Sequence, residues 1–308
     1  MPKKIRFKAG LYVAPLFVFN LAPVLKICIP EIEHHLMRAT LLSRLYLLIA
    51  AAIFISSCKK ETEEFQTEAL SDYVPLQTGK YITYRLDSTV FTNFGRVTAI
   101  RKYQVKHLVD QQITDNEGRP SWRVFRFIRD SVNTTSWTPA QAWIPYGSYM
   151  VTVLHDQLEI TDDDNLRFIK LHLGIREGNN WKGNKFLPTN PYGPVFNFSV
   201  DDAMFDWDYF YEETGGSFSF GGKNYSDVLT VEQQDETENF PNTDPTSYAS
   251  QARSVEKYSK DIGLVYREYF LWEQQPNPIL VNPGPPPVYN YDPFRIGFGI
   301  KMWMIDHN

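Results

Sequence analysis

Arg295-Ile296-Gly297-Phe298-Gly299-Ile300-Lys301-Met302-Trp303-Met304-Ile305 alternates with a period of two. In an extended chain Ile296, Phe298, Ile300, Met302 and Met304 share one face, because successive side chains of a strand point to opposite sides. Gly297 and Gly299 fall on the other face, where a second backbone can come close. Upstream, Leu264–Gln274 also reads as a strand, and the two are expected to pair as a hairpin across a long loop. That loop, Pro276 to Pro293, contains Pro283-Gly284-Pro285-Pro286-Pro287. Prolines cannot donate ladder hydrogen bonds. The loop is therefore expected to leave the sheet as a stiff, partly polyproline excursion.

The same alternation recurs along the chain. Pro75 and Gly79 mark a turn, after which Tyr81-Ile82-Thr83-Tyr84-Arg85-Leu86-Asp87 places Ile82, Tyr84 and Leu86 on one face. Further strands are expected at Val97–Val109, Trp122–Asp130, Tyr149–His155 and Leu166–Leu173. Val195–Val200, Phe205–Tyr211, Ser217–Phe220, Val228–Gln233 and Ser254–Tyr258 follow. Turn residues such as Asn116-Glu117-Gly118-Arg119-Pro120 and Gly221-Gly222-Lys223-Asn224 separate many of them. Tyr248 to Val255 reads as a short helix or loop, and no sustained helical period is visible. Many short strands with turn signals between them predict an all-β fold. The expected architecture is a mainly antiparallel sheet curled into an open barrel or sandwich, in a single domain over 73–308.

The N-terminal quarter has a different character. Met37 to Glu64 reads MRATLLSRLYLLIAAAIFISSCKKETEE. Arg38 and Arg44 give a basic start, Leu45 to Ile55 an apolar run, and small residues lead to Cys58, which is the layout of a secretory signal peptide. The run is shorter than the ~20 apolar residues that a membrane-spanning helix needs. Ile55-Ser56-Ser57-Cys58 resembles the lipobox of bacterial lipoproteins. That resemblance implies cleavage before Cys58, acylation of its thiol and a lipid anchor there. Lys59, standing where an inner-membrane retention Asp would be, implies the outer membrane. Residues 37–57 are thus read as signal peptide and 58–72 as a flexible tether. Residues 1–36 are read as an upstream extension outside the natural protein. Tyr73-Val74-Pro75-Leu76 followed by Gly79 and an aromatic strand resembles the start of uncharacterised exported β-domain lipoproteins, a resemblance that names no activity.

Charge narrows the partners. Residues 1–57 hold seven Lys/Arg and two Asp/Glu, which leaves 24 basic and 34 acidic residues beyond Ser57, a net charge of −10. Nucleic-acid binding needs a basic patch, and this balance argues against it. The cysteines are Cys28 and Cys58. The domain therefore has no disulfide, no catalytic thiol and no cysteine-based metal site. No cofactor is expected.

Searches for hydrolase elbows, H-E-x-x-H, phosphate loops and dinucleotide fingerprints find nothing. The histidines have no ligand spacing. Asp162-Asp163-Asp164 and the group Asp201, Asp202, Asp206 and Asp208 are carboxylate-rich, but neither matches a calcium loop. Among the aromatics, Trp137, Trp143, Tyr146 and Tyr149 cluster in sequence. Phe205, Trp207, Tyr209 and Tyr211 share a face if Phe205–Tyr211 is a strand. Trp207, Tyr209 and Tyr211 are the candidate ligand-binding residues if that row is exposed, and core residues if it is buried. Burial is the expectation, since four aromatics in water would make a large apolar patch. The function expected is a non-catalytic binding or structural module of a lipid-anchored envelope lipoprotein, taking a glycan, a lipid or an envelope protein. The alternative is a hydrolase or glycan-processing enzyme that uses the acidic residues.

Overall fold

Among the residues that the computed structural model describes (68–131, 142–199, 204–242 and 244–308), the chain forms fourteen strands and two short 3₁₀ turns. Cys58, the signal peptide, the upstream extension, Trp137, Asp201 and Asp202 lie outside the described residues. The first run of strands is β1 (Tyr81–Thr92), β2 (Val97–Thr114), β3 (Pro120–Asp130), β4 (Ile144–Val153), β5 (Gln157–Thr161) and β6 (Arg167–His172). Each pairs antiparallel with the next. The second run is β7 (Asn180–Lys182), β8 (Asp208–Phe220), β9 (Lys223–Glu238), β10 (Ala249–Ser259) and β11 (Gly263–Gln275). Then come β12 (Pro278–Asn282), β13 (Val288–Tyr291) and β14 (Phe294–His307).

Twelve strands make one antiparallel sheet, nearly closed as a barrel, in the order β6-β5-β4-β3-β2-β1-β14-β11-β10-β9-β8-β7. β14 joins the two runs. Trp303 pairs with Tyr266 of β11 on one side and with Arg85 of β1 on the other. The expected hairpin of β11 with β14 is present, in register from Tyr266↔Trp303 to Gln275↔Phe294. On the inner face of β14, Phe298, Ile300, Met302 and Met304 pack into the core. On the other face Gly297 sits at φ +109°, and a Cβ there would run into the Leu271 carbonyl oxygen and the Trp272 Cα. Backbone packing is thus what the glycine permits.

The two outermost strands of the sheet meet through a few contacts. The Ile169 N–H of β6 donates to the Gly183 carbonyl at 2.8 Å. The Trp181 indole N–H of β7 donates to the Ile169 carbonyl at 2.9 Å. Tyr211 of β8 clasps the end of β6: its hydroxyl donates to the His172 carbonyl at 2.6 Å and accepts the His172 N–H at 3.1 Å. Such side-chain bonds satisfy edge groups that a fully paired barrel would satisfy by its ladder.

Several expectations are corrected. Tyr248–Val255 is neither helix nor loop. Ala249–Ser259 is a strand, because it is paired on both sides, by β9 and β11, and pairing overrides weak local preference. Val195–Phe198 is not a strand; Phe196 and Phe198 pack their rings at a tilt, and Phe196 packs against Phe298. Phe205 does not join the aromatic row, since Met204–Asp206 is a 3₁₀ turn and the strand begins at Asp208. The proline-rich excursion leaves the main sheet as expected, but β12 and β13 pair with each other within it. The boundary at Tyr73 falls late: Leu70 and Tyr73 are both buried in the core, so the last residues of the expected tether are packed.

Gly297→Ala should destabilise the domain by about 2–4 kcal/mol, from positive-φ strain together with overpacking. Urea denaturation of the two proteins measures it. A loss below ~0.5 kcal/mol, the range of ordinary surface changes, would mean that β14 does not approach β11 so closely.

Candidate binding cavity

Curling the sheet leaves a cavity of about 200 Å³ inside it. Its walls come from residues spaced by two on successive strands, as one face of a curled sheet requires. Ile82 and Tyr84 come from β1, His107 and Val109 from β2, Val124 and Arg126 from β3. Tyr149 and Val151 come from β4, Phe168 and Lys170 from β6, Glu256 and Tyr258 from β10. Arg267 of β11 and Asp162, just beyond β5, also face it, and the rim reaches exposed Asn308.

Glu256 is the polar centre, and its side chain is 2% exposed. Lys170 Nζ reaches its Oε1 at 2.9 Å. Gln233 Nε2 and the Tyr258 hydroxyl donate to its Oε2 at 2.8 and 2.7 Å. Gln233 is itself held, accepting from Ser254 Oγ at 2.6 Å. Arg267 Nε approaches Oε1 at 3.3 Å without forming an aligned hydrogen bond. Burial raises the Glu256 carboxyl, but Lys170 and Arg267, with the Lys170 and Tyr258 hydrogen bonds, bring it below its ordinary value. Glu256 is therefore an anion with its acceptor positions occupied, not a free base.

Burial shifts the other titratable groups as well. Burial, aided by the charges of Arg126 and Arg267, pushes His107 down to about 3, so its ring is neutral. His107 Nδ1 lies 3.2 Å from the Tyr149 hydroxyl, and its ring makes edge contacts with Tyr84 and Tyr149. The Tyr84 hydroxyl donates to the Leu264 carbonyl at 3.0 Å. Burial also pushes Lys170 down to about 8, against the pull of Glu256. Asp162 is raised by burial, although the N–H groups of Leu166 and Asp164 cap it.

The sequence-derived candidates lie elsewhere. Trp207, Tyr209 and Tyr211 are buried at 8%, 2% and 0% exposure and belong to the core. Trp207 meets the edge of Tyr269, Tyr209 donates to Asn184 Oδ1 at 2.6 Å, and Tyr211 closes the barrel seam. Phe205 is exposed. Of the second aromatic cluster, Tyr149 lines the cavity and Tyr146 is exposed. Trp143 is sandwiched by the cations of Lys106 and Arg129. Asp206 and Asp208 are strung along the exposed edge beside Lys182, which pairs with both. No three His, Cys, Asp or Glu among the described residues converge to hold a metal.

Lys170, Glu256, Arg267, Arg126 and His107 were not singled out from sequence. The available signal was a charge on the apolar face of an expected strand: Lys170 follows Phe168 by two, and Glu256 precedes Tyr258 by two. Inward charge at that spacing marks either a solvated face or a lined interior, and only the sheet's curvature separates them.

No family model and no curated protein matches the chain. Solved structures similar to it include a DUF1329 family protein from Desulfovibrio piger ATCC 29098, at 11% identity, over 76% of this chain and 87% of that one, with a TM-score of 0.17. A domain described as an outer membrane lipoprotein-sorting protein domain, from Vibrio parahaemolyticus, is 11% identical over 75% of this chain and 85% of that one, with a TM-score of 0.15. Superpositions this loose carry no argument about the role of this chain.

Two measurements check the site. Trp207→Ala should cost about 3–5 kcal/mol, as expected for a buried Trp; a loss under ~1 kcal/mol in thermal melts would put the ring at the surface. In a side-chain NMR titration one lysine should titrate near pH 8 and be missing from Lys170→Met. Because the folded pKa lies below the unfolded one, Lys170 lowers stability fully below pH 8, and that penalty fades as pH rises toward 10.5. Lysines that all titrate above pH 10 would show that Lys170 is not buried.

Proposed function

We propose that this chain is a cell-envelope lipoprotein, anchored in the outer membrane through Cys58, whose β domain binds a small ligand in its interior and does no chemistry on it. The observation that carries the binding half is the cavity itself. Its walls combine apolar side chains with a few fixed polar groups, the usual make-up of a ligand site. The non-catalytic half rests on proton accounting. Glu256 is saturated, His107 is neutral with its Nδ1 against Tyr149, and Tyr84 and Tyr258 donate to protein acceptors. The anchor rests on the lipobox-like residues that end at Cys58.

The anchor and the cavity separate experimentally. Cys58→Ser should abolish incorporation of radiolabelled lipid and release the protein from membranes; a variant that still incorporates lipid and stays bound would reject the anchor. For the cavity, saturating toluene should raise the melting temperature of the wild type, because a ligand that binds only the folded state stabilises it. Ile160→Trp, which fills the cavity, should remove that increment. Equal increments in both proteins, or none in the wild type, would reject an interior site.

A further inference from the structure

We propose that the ligand is a small amphipathic anion, a carboxylate or phosphate on an apolar body, with its acidic group against Arg267 and Arg126. This rests on the reading of the cavity as a ligand site and adds the chemistry of the occupant. The first ground is charge. The walls carry four cations, Lys80, Arg126, Lys170 and Arg267, against two carboxylates, Asp162 and Glu256. Lys170 Nζ at 2.9 Å and Arg267 Nε at 3.3 Å both stand against Glu256 Oε1, so two cations share one carboxylate there. Arg126 spends one terminal nitrogen on Asp163 at 2.6 Å, at the more exposed side.

The second ground is the donor inventory. Arg126 and Arg267 line the cavity, and the Nε of each is buried without an aligned hydrogen bond, although Arg267 Nε stands 3.3 Å from Glu256 Oε1. A buried donor without an acceptor is costly, and each calls for a partner. The hydroxyls of Tyr84 and Tyr258 are already committed, and the Lys170 ammonium donates to Glu256. What the interior offers is therefore guanidinium N–H, the group that matches carboxylate and phosphate oxygens in a planar fork. A cationic ligand would meet like charge, and a neutral apolar one would leave both donors unmatched.

The third ground is the apolar lining, where Val109, Val124, Val151, Ile160 and Phe168 present only hydrocarbon. The cavity of about 200 Å³ exceeds the roughly 150 Å³ known to hold a benzene ring. A single ring or a medium-length alkyl chain is the matching body.

The test uses the full chain carrying Cys58→Ser, purified without detergent so that no attached acyl chain competes. Calorimetric titrations compare octanoate, octyl phosphate, octan-1-ol, octyltrimethylammonium and inorganic phosphate. Octanoate or octyl phosphate should bind at least about tenfold tighter than octan-1-ol, the scale of one charge-assisted contact. Whichever of the two binds tighter tells carboxylate from phosphate. Arg267→Gln should remove most of the preference while octan-1-ol affinity is kept; should that variant misfold, the wild-type ranking alone decides. Octan-1-ol binding as tightly as the acids, or the ammonium binding tighter, would overturn the acidic group and leave the cavity a ligand site. Inorganic phosphate binding as tightly as octyl phosphate would overturn the apolar body. If none of the five binds, the ligand-site reading falls with the proposal.

Discussion

The pair of Lys170 and Glu256 connects strands that lie far apart in the sheet. Lys170 is on β6, the last strand of one half, and Glu256 is on β10, in the other. Their contact at 2.9 Å, with both side chains at most 5% exposed, therefore spans the interior. Taking two ions out of water costs several kcal/mol each, and only good geometry with full hydrogen bonding offsets it. That condition is met through Gln233, Ser254 and Tyr258, all on β9 and β10. The charge pair thus fixes how far the sheet can curl: any other spacing between β6 and β10 would strand a buried ion. An apolar pair of similar volume would often be as stable, so stability alone does not account for charge in this place.

The aromatic residues explain why the curl holds without a disulfide. Trp181, Tyr209 and Tyr211 pack together beside the seam between β6 and β7. Trp207 and Phe298 both make T-shaped contacts with Tyr269. The Trp181 indole and the hydroxyls of Tyr209, Tyr211 and Tyr269 find partners within the protein, as buried Tyr and Trp require. Two clusters of core residues result, one built around these rings and one around Tyr84, Val265, Met302 and Met304. The interior stays open because its wall is charged: collapsing it would press Lys170, Arg267 and Arg126 together, and their repulsion in a poorly screened space opposes that.

The strands were legible because they depend on local alternation. β14 shows this best, since Gly297 and Gly299 fall where β11 and Thr89 of β1 press against it. The seam was not legible. Whether Tyr211 faces solvent, core or a neighbouring strand depends on which strand lies beside it, and β6 precedes β8 by some forty residues of chain. Phe205 failed for a local reason, a 3₁₀ turn that ends the alternation one residue before Asp208. The binding wall was missed for a third reason. Lys170, Glu256 and Arg267 are charged, and on a flat sheet a charged face is a solvated face. Curvature turned that face inward, and nothing in the order of residues along one strand encodes curvature.

Charge inside and charge outside have opposite signs in this domain. The chain beyond Ser57 carries a net charge of −10, while the cavity wall holds twice as many cations as carboxylates. An acidic exterior repels an anion at a distance, over the ~8–10 Å that salt leaves unscreened. The same anion, once inside, is in a space of lower polarity, where guanidinium contacts are stronger than they are in water. Long-range steering therefore contributes nothing to recognition here, unlike clefts that focus a field toward solvent. What discriminates among ligands is the interior, where the guanidinium groups of Arg126 and Arg267 line the same cavity as hydrocarbon side chains. Since His107 is held neutral and Glu256 is held as an anion, that interior keeps the same charges through the neutral pH range, save for Lys170 near pH 8. The selectivity of the site is thus built into fixed charges rather than into a proton that comes and goes.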